Sequence, residues 1–178
     1  MASDAALLAG TGAADAAALE ARLRLLIPLY EHIGIRIESV GEVLACTVPL
    51  TEANANHLGG VHAAVQWAAA EVLGGIAFLA HPELGDCWIV VPDLNITFKR
   101  VARTALRAEA VFDAVRVDDV AAQLAATGRA DYEVAMTLRD TTGDVVATAV
   151  GHYHLRRDGG DGEPPPLAPT GGPEPPAG

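Results

Sequence analysis

Residues 56–80 read NHLGGVHAAVQWAAAEVLGGIAFLA, and this stretch determines how the rest of the chain has to be arranged. It begins polar and glycine-rich and then remains apolar for about five helical turns. Apolar side chains recur at the three- and four-residue intervals of a helix face, and they are Val61, Val65, Ala68, Val72, Ile76 and Leu79. A helix that is apolar on nearly all sides is buried in a protein or in a membrane.

A membrane span is the less favoured of these two environments. Glu71 lies at the centre of the run, and His62 and Gln66 precede it. The pair Gly74-Gly75 also interrupts the run, and no basic flank marks a cytoplasmic end. The sequence therefore predicts a helix buried in a soluble fold, with a sheet wrapped around it.

Glu71 needs an explanation, because a carboxylate is rarely buried unless it is paired or takes part in chemistry. The small residues on its side of the helix, which would leave a notch beside it, are Ala64, Ala68 and Gly75. Trp67 and Phe78 border the same side, and such desolvation raises a carboxyl pKa toward the range of a useful base. The structural alternative is a partly exposed Glu71, or one paired with an arginine from the sheet.

The spacing of three polar residues adds to this argument. Asn56, His62 and Glu71 are separated by six and then nine residues, and Ala63-Ala64 follow His62 directly. This pattern resembles the signature of hotdog-fold acyl-CoA thioesterases of the phenylacetate-pathway (PaaI-like) type. The run NHLGGVHAAVQWAAAE is also similar to the YiiD C-terminal-like thioesterase family (DUF4442). Both resemblances place the acidic residue on Glu71.

The resemblance implies an α+β hotdog fold, in which an antiparallel sheet wraps around a long central helix. It implies that Glu71 acts as general base on water or as nucleophile, and the sequence leaves these two roles open. Asn56 would orient the water or the thioester. The backbone N–H of Ala63, together with that of Ala64, would hold the oxyanion at the helix start, and His62 would shape that turn.

The resemblance covers residues 34–157 and departs from the thioesterase pattern at two points. Ala63-Ala64 replace a Gly-Gly pair, and Glu71 replaces the Asp of the PaaI-like proteins. Alanine keeps its backbone N–H, but its methyl group narrows the approach to the thioester. The alternative is therefore a non-catalytic hotdog dimer that binds an acyl or aromatic ligand. A hotdog dehydratase is disfavoured because the chain lacks the Asp-x4-His signature of the hydratase branch.

The quaternary expectation has two sources. One buried helix followed by consecutive strands suggests a curled antiparallel sheet, and pairing of such sheets across a twofold axis removes an open edge. In the family the active site lies at a dimer interface. The resemblance thus implies a homodimer or a dimer of dimers, with Glu71 of one subunit facing the His62–Ala63 turn of the other.

The composition excludes several classes of protein. The net charge is −11, with 12 basic and 23 acidic residues, so a nucleic-acid surface, which needs a basic stripe, is not expected. Two cysteines are too few for a disulfide framework and show no metal spacing, which fits the cytoplasm. The N-terminus has no basic region typical of a signal peptide. We expect neither a metal nor a cofactor other than coenzyme A as part of the substrate.

A short basic cluster is the candidate site for the phosphates of coenzyme A. Lys99, the only lysine, is followed by Arg100 and Arg103, and phosphate is a natural partner of both side chains. The alternative is a solvated strand end that balances nearby acids. His152 and His154 share one face of the last strand, but no third metal ligand is evident and surface histidines are favoured.

The chain is expected to divide into three parts. Residues 1–15 form a flexible N-terminus, residues 16–157 a single hotdog domain, and residues 158–178 a disordered tail rich in Pro and Gly. The domain begins with an amphipathic helix at 16–32, for which simple packing is favoured over capping of the pocket. Strands are predicted at 33–50 as a hairpin, then at 87–91, 93–103, 104–114, 132–140 and 145–157. A short helix capped by Asp118-Asp119 and ended by Gly128 is predicted between the strands at 104–114 and 132–140.

Overall fold

The structure is a computed structural model that describes residues 15–81, 84–85 and 87–157. Two expectations fall almost entirely outside this part of the chain: the flexible N-terminus, of which only Asp15 is described, and the disordered tail at 158–178. Asp15 is the N-cap of the first helix, and its side chain accepts a hydrogen bond from the Ala17 backbone N–H.

The described residues form four helices, six strands and one short 3-10 turn. The helices are α1 (Ala16–Leu26), α2 (Pro28–Ile33), α3 (Ala63–Leu79) and α4 (Ala114–Thr127), and the 3-10 turn is Glu52–Asn54. The strands are β1 (Arg36–Val40), β2 (Val43–Val48), β3 (Cys87–Phe98), β4 (Leu106–Val111), β5 (Arg129–Asp140) and β6 (Val145–Arg157).

The six strands make one antiparallel sheet in the order β1-β2-β4-β5-β6-β3. Helix α3 contacts strands β2 to β6 and is enclosed by the curved sheet. Its face toward the sheet is buried and includes the predicted apolar positions Val65, Ala68, Val72 and Ile76. The predicted hotdog fold, an α+β sheet wrapped around a long helix, is thereby confirmed. None of the described helices has the length and apolar character that crossing a bilayer requires.

Strand β3 corrects one prediction. Two strands separated by Pro92 were expected, but Cys87–Phe98 is a single strand whose register shifts between Val90 and Asp93. In the described sheet β3 is an edge strand that pairs with β6 on one side. Pro92 lacks a backbone N–H, and an edge strand tolerates this at a register shift.

Two helix boundaries also differ from the sequence prediction. Helix α4 begins at Ala114 and not at the Asp118-Asp119 pair, because the Asp113 side chain accepts a hydrogen bond from the Arg116 backbone N–H. The predicted end is confirmed, since Gly128 has φ of 69° and terminates the helix in the left-handed conformation. The first predicted helix is divided in two, with Pro28 in the first turn of α2, where its missing N–H is tolerated.

One side of α3 is left uncovered by the chain's own sheet. The helix positions that are exposed or half-buried are Ala63, Ala64, Trp67, Glu71, Gly75 and Leu79. Their three- and four-residue spacing places them on one face of the helix. This face contains both the helix start and Glu71, so every predicted catalytic element of α3 lies along the same stripe.

Candidate active site

The Glu71 carboxylate is held by a tyrosine from the N-terminal helices. The Tyr30 hydroxyl donates a hydrogen bond to Glu71 Oε2 at 2.6 Å. Burial raises the pKa of Glu71 above its ordinary value, and the hydrogen bond from Tyr30 acts in the opposite direction. The pKa of the Tyr30 hydroxyl is itself raised, by burial and by the Glu71 carboxylate, so Tyr30 remains a donor at neutral pH. Glu71 is therefore an oriented carboxylate with elevated basicity.

Glu71 lines a cavity of about 330 Å³ between the N-terminal helices, α3 and β3. Leu23, Leu26 and Ile27 form one wall, and Ile89 and Val91 of β3 form part of the other. Among the described residues that line the cavity, Glu71 is the one whose side chain carries a charge at neutral pH. An isolated carboxylate in an apolar cavity of ligand size is a typical arrangement at a functional site.

The structure places the first helical segment beside Glu71. Simple packing was favoured, yet Tyr30 contacts the Glu71 carboxylate and three aliphatic residues of the segment line the cavity. The amphipathic face that includes Leu19, Leu23 and Tyr30 was recognisable from the sequence. The contact of Tyr30 with Glu71 was not recognisable, because 41 positions separate the two residues and only the fold brings them together.

Two further tyrosines position the backbone of α3 near Glu71, and sequence reasoning missed both. The Tyr153 hydroxyl donates to the Glu71 carbonyl oxygen at 3.0 Å, and the Tyr132 hydroxyl donates to the Gly74 carbonyl oxygen at 2.8 Å. The two rings are stacked, with centroids 5.2 Å apart. Their strands alternate regularly, so no sequence signal distinguished these tyrosines from ordinary core residues.

The predicted oxyanion turn lies at the start of α3. His62 is the N-cap, and its Nδ1 accepts a hydrogen bond from the Ala64 backbone N–H at 3.1 Å. The Ala63 backbone N–H has no acceptor within the part of the chain that the structure describes, and Ala63 is exposed. Of the two predicted oxyanion donors, Ala63 is therefore available to a ligand and Ala64 is engaged by His62.

Asn56 organises the loop that precedes this turn. Its Oδ1 accepts hydrogen bonds from the backbone N–H groups of Leu58 and Gly60, at 2.9 and 3.2 Å. Its backbone N–H donates to the Gly60 carbonyl at 2.7 Å. Because both bonds to Oδ1 come from donors, the amide nitrogen Nδ2 is the group that Asn56 can offer to a ligand.

The structure separates the two halves of the predicted site within one chain. Ala63 and Glu71 are eight residues apart on the same helix, which corresponds to about 12 Å along its axis. A carbonyl bound at Ala63 is thus out of reach of the Glu71 carboxylate of the same protomer. Both groups lie on the uncovered face of α3, so a second copy facing this helix in the antiparallel sense would place one against the other.

The three predicted phosphate-binding residues have different surroundings. Arg100 forms an ion pair with Asp144 at 2.5 Å, and Arg103 donates to the Leu58 carbonyl at 2.8 Å in the loop before α3. Lys99 is exposed, and its ammonium group has no partner among the described residues. Lys99 is accordingly the most available cation of the cluster.

The histidines of β6 and the two cysteines have the following surroundings. His152 contacts Asp93 and Glu133, and His154 contacts Asp131, all on the exposed face of the sheet. Throughout 15–81, 84–85 and 87–157, no group of three His, Cys, Asp or Glu side chains is arranged to hold a metal. Cys46 and Cys87 are buried, and burial raises the pKa of the Cys46 thiol to about 12.

Replacing Tyr30 by phenylalanine should shift the pH dependence of any reaction in which Glu71 acts as a base. The Tyr30 hydrogen bond lowers the Glu71 pKa, so its loss raises that pKa further. The acid limb of kcat/KM should consequently move to higher pH in Tyr30→Phe. Tyr132→Phe is the matched control, because its hydroxyl contacts only a helix carbonyl near the site. An acid limb that moves to lower pH in Tyr30→Phe would contradict this role of Tyr30.

A sheet of this order around a carboxylate-bearing helix defines a thioesterase-like protein of the hotdog fold, in the PaaI-like superfamily. The chain belongs to the family described as a domain of unknown function (DUF4442), whose model matches residues 16–155. Comparison with curated protein sequences gives no significant match.

Solved structures support the same class. A Pseudomonas aeruginosa protein of unknown function, described as a probable thioesterase, is 27% identical over 84% of this chain and 100% of its own, with a TM-score of 0.73. A Chlorobaculum tepidum protein of unknown function is 18% identical over 80% of this chain and 94% of its own, with a TM-score of 0.74. A Haemophilus influenzae thioesterase is 18% identical over 77% of this chain and 90% of its own, with a TM-score of 0.59. The last two similarities concern the fold.

Proposed function

We propose that this protein is an acyl-CoA thioesterase in which Glu71 activates water for attack on the thioester. The observation that carries the proposal is the Glu71 carboxylate itself. It lies in an otherwise uncharged cavity, has a raised pKa and is oriented by the Tyr30 hydroxyl at 2.6 Å. These are the properties of a general base. A nucleophilic carboxylate would need the same position, so the proposal accommodates either role.

In the proposed reaction, Glu71 accepts a proton from a water molecule as the water oxygen attacks the thioester carbon. The carbonyl oxygen becomes an oxyanion, which the Ala63 N–H of a second copy stabilises together with the positive end of α3. The C–S bond then breaks, the coenzyme A thiolate takes the proton from Glu71, and the carboxylic acid is released. Asn56 Nδ2 lies in the loop next to that helix start and would orient the carbonyl or the water.

The arrangement of the sheet and helix supports a dimeric site. Strand β3 is an open edge of the described sheet, and the face of α3 that includes Ala63 and Glu71 is not covered by the chain's own sheet. Trp67 is 38% exposed on this face and Phe98 is 47% exposed on β3. A second copy paired along β3 would cover Trp67 and Phe98 and would pair the free backbone N–H and C=O groups of this edge strand. It would also bring its own Ala63 toward Glu71. A dimer of dimers would repeat this unit.

Thiol release from a panel of acyl-CoAs, with short, medium, long and aryl groups, tests the proposed activity. Release above background by the wild-type protein would support a thioesterase and define its substrate range. Silence across the panel from a folded dimer would refute it. The ligand-binding alternative, in which the Ala63 methyl group prevents attack, would then account for the site.

Mixing two inactive variants should restore activity if the site is shared between subunits. Ala63→Pro removes the proposed oxyanion donor at the first helical position, where proline is tolerated. His62 has φ −58° and ψ 145°, which is compatible with a following proline. After dissociation and reassociation with a Glu71→Gln variant, each mixed dimer contains one site with both groups intact.

We expect each variant alone to be inactive and the equimolar mixture to recover about a quarter of the wild-type rate, since half of the dimers are mixed and each of these has one intact site. Homodimers mixed without dissociation are the control. A mixture as inactive as its components would place the complete site within one chain.

Replacing Lys99 by alanine should weaken the binding of coenzyme A. The exposed ammonium group has no partner within residues 15–81, 84–85 and 87–157, so its loss should raise KM for an acyl-CoA several-fold with little change in kcat. The KM for the matching acyl-N-acetylcysteamine, which lacks the nucleotide, should stay unchanged. Arg36→Ala on β1, at the opposite edge of the sheet, removes the same charge and serves as control. Equal effects on both substrates would exclude a phosphate contact.

A further inference from the structure

We infer that the 330 Å³ cavity beside Glu71 is an acyl chamber that selects straight aliphatic chains of medium length, with Gly75 setting the usable space. This inference deepens the proposed function and rests on it for the position of the thioester. It assigns a specificity role to Gly75 and to the α1–α2 segment.

The walls of the cavity suit an alkyl chain. Aliphatic side chains contribute most of the lining, from Leu23, Leu26 and Ile27 on the N-terminal helices to Val72 and Leu79 on α3. The charged group of the lining, the Glu71 carboxylate, is bonded to the Tyr30 hydroxyl at one place, and the other polar side chains of the lining are the aromatic residues Trp88 and Tyr153. A ligand with one polar, reactive end and an apolar remainder matches this distribution.

Volume and length give the same chain size. At the roughly 30 Å³ that a water-sized group occupies, a cavity of this volume accommodates about ten such groups. Glu71 and Leu79 lie eight residues apart on α3, or about 12 Å along the helix axis. With carbon–carbon bonds of about 1.5 Å in a zigzag, an extended chain of roughly ten carbons spans this distance. We therefore assign an acyl group of about eight to ten carbons.

Gly75 lies one helical turn beyond Glu71, where such a chain would pass. A Cβ atom built on Gly75 meets nothing within 4 Å, although Gly75 lines the cavity. Glycine in a helix interior is unfavourable relative to alanine, and no close packing requires it here. The neighbouring Gly74 differs, because a Cβ there would overlap the Tyr153 ring. The missing side chain of Gly75 thus contributes space to the cavity, whereas that of Gly74 permits packing.

The test is the chain-length profile of kcat/KM for acyl-CoAs from butyryl to tetradecanoyl. For the wild type we expect a maximum at octanoyl to decanoyl. Gly75→Leu should lower the ratio of decanoyl to butyryl kcat/KM by about thirtyfold, because the new side chain displaces two or three methylene groups from the chamber. Leu79→Phe, at the far end, should lower the same ratio. Ala122→Leu, on the exposed side of α4, introduces the same side chain elsewhere and should leave the ratio unchanged.

A binding measurement separates this inference from the proposed activity. S-decyl-coenzyme A is a thioether that cannot be hydrolysed, and calorimetry reports its affinity without turnover. If the wild type hydrolyses acyl-CoAs but neither variant changes the ratio, the chamber is refuted and the thioesterase stands. If nothing is hydrolysed but S-decyl-coenzyme A binds and Gly75→Leu weakens it, the chamber stands and the thioesterase is refuted. A wild-type preference for benzoyl over decanoyl would overturn the assignment of straight chains.

Discussion

Glu71→Gln is expected to lower the kcat for thioester hydrolysis by about a thousandfold while the protein stays folded. The substitution removes the basic oxygen but retains the shape of the side chain and a carbonyl that can accept the Tyr30 hydrogen bond of 2.6 Å. The loss should fall on kcat and not on KM, because the acyl chamber and the cationic residues remain. The measurement is thiol release under saturating acyl-CoA.

The same variant should be more stable than the wild type at neutral pH. Burial raises the Glu71 pKa in the folded state above its value in the unfolded chain, so the folded state binds more protons between these two pKa values. The stability contributed by protonated Glu71 is fully present below the unfolded pKa and is lost as the pH rises through the folded pKa. Glutamine is neutral throughout, so the Tm difference between Glu71→Gln and wild type should be larger at pH 8 than at pH 4.

Glu42→Gln is the matched control for both measurements. Glu42 is exposed in the turn between β1 and β2, and its backbone carbonyl accepts a hydrogen bond from the Phe112 N–H. This variant should keep the wild-type turnover and show no comparable rise in Tm. A folded Glu71→Gln protein with wild-type turnover would remove Glu71 from the chemistry.

Gly74→Ala should prevent formation of the native fold, whereas Gly75→Ala should stabilise it. A Cβ atom on Gly74 would overlap Tyr153 Cζ. The Tyr153 ring is fully buried and its hydroxyl is bonded to the Glu71 carbonyl, so relieving this overlap would require the ring to shift and the hydrogen bond to break. A Cβ on Gly75 meets nothing within 4 Å, and alanine is favoured over glycine in a helix by about 1 kcal/mol.

The soluble yield and the Tm of the two variants measure this difference. Because the two substitutions are chemically identical and adjacent on one helix, each serves as the control for the other. A folded Gly74→Ala protein with a Tm near that of the wild type would mean that the Tyr153 ring does not pack against α3 as described.

Several parts of the fold were predictable because they follow from local pattern. The apolar periodicity of residues 56–80 identified the central helix, and alternation identified the hairpins β1–β2 and β5–β6. The predicted elements that the structure changed were changed by neighbouring segments of the fold. Pro92 does not divide β3, because an edge strand tolerates proline, and the edge position is a property of the sheet order.

The candidate site was predictable to a smaller extent. Glu71, His62 and Ala63 were identified from residue type and spacing, and the structure places all three on the uncovered side of α3 or at its start. Their catalytic roles remain predictions, as do those of Asn56 and the basic cluster. Tyr30 and Tyr153 were not identified, since a hydrogen-bond donor to a distant carboxyl group leaves no periodic signal in the chain.

The sequence by itself determined which segment becomes the central helix and that this helix bears one carboxylate among apolar residues. This follows because helix periodicity and side-chain polarity are local properties. Only the tertiary structure decided that Tyr30 would orient Glu71, and that Gly75 would border open space while the Tyr153 ring fills the space beside Gly74. These properties depend on the packing of segments far apart in the chain, and packing is set by three-dimensional shape and not by spacing along the sequence.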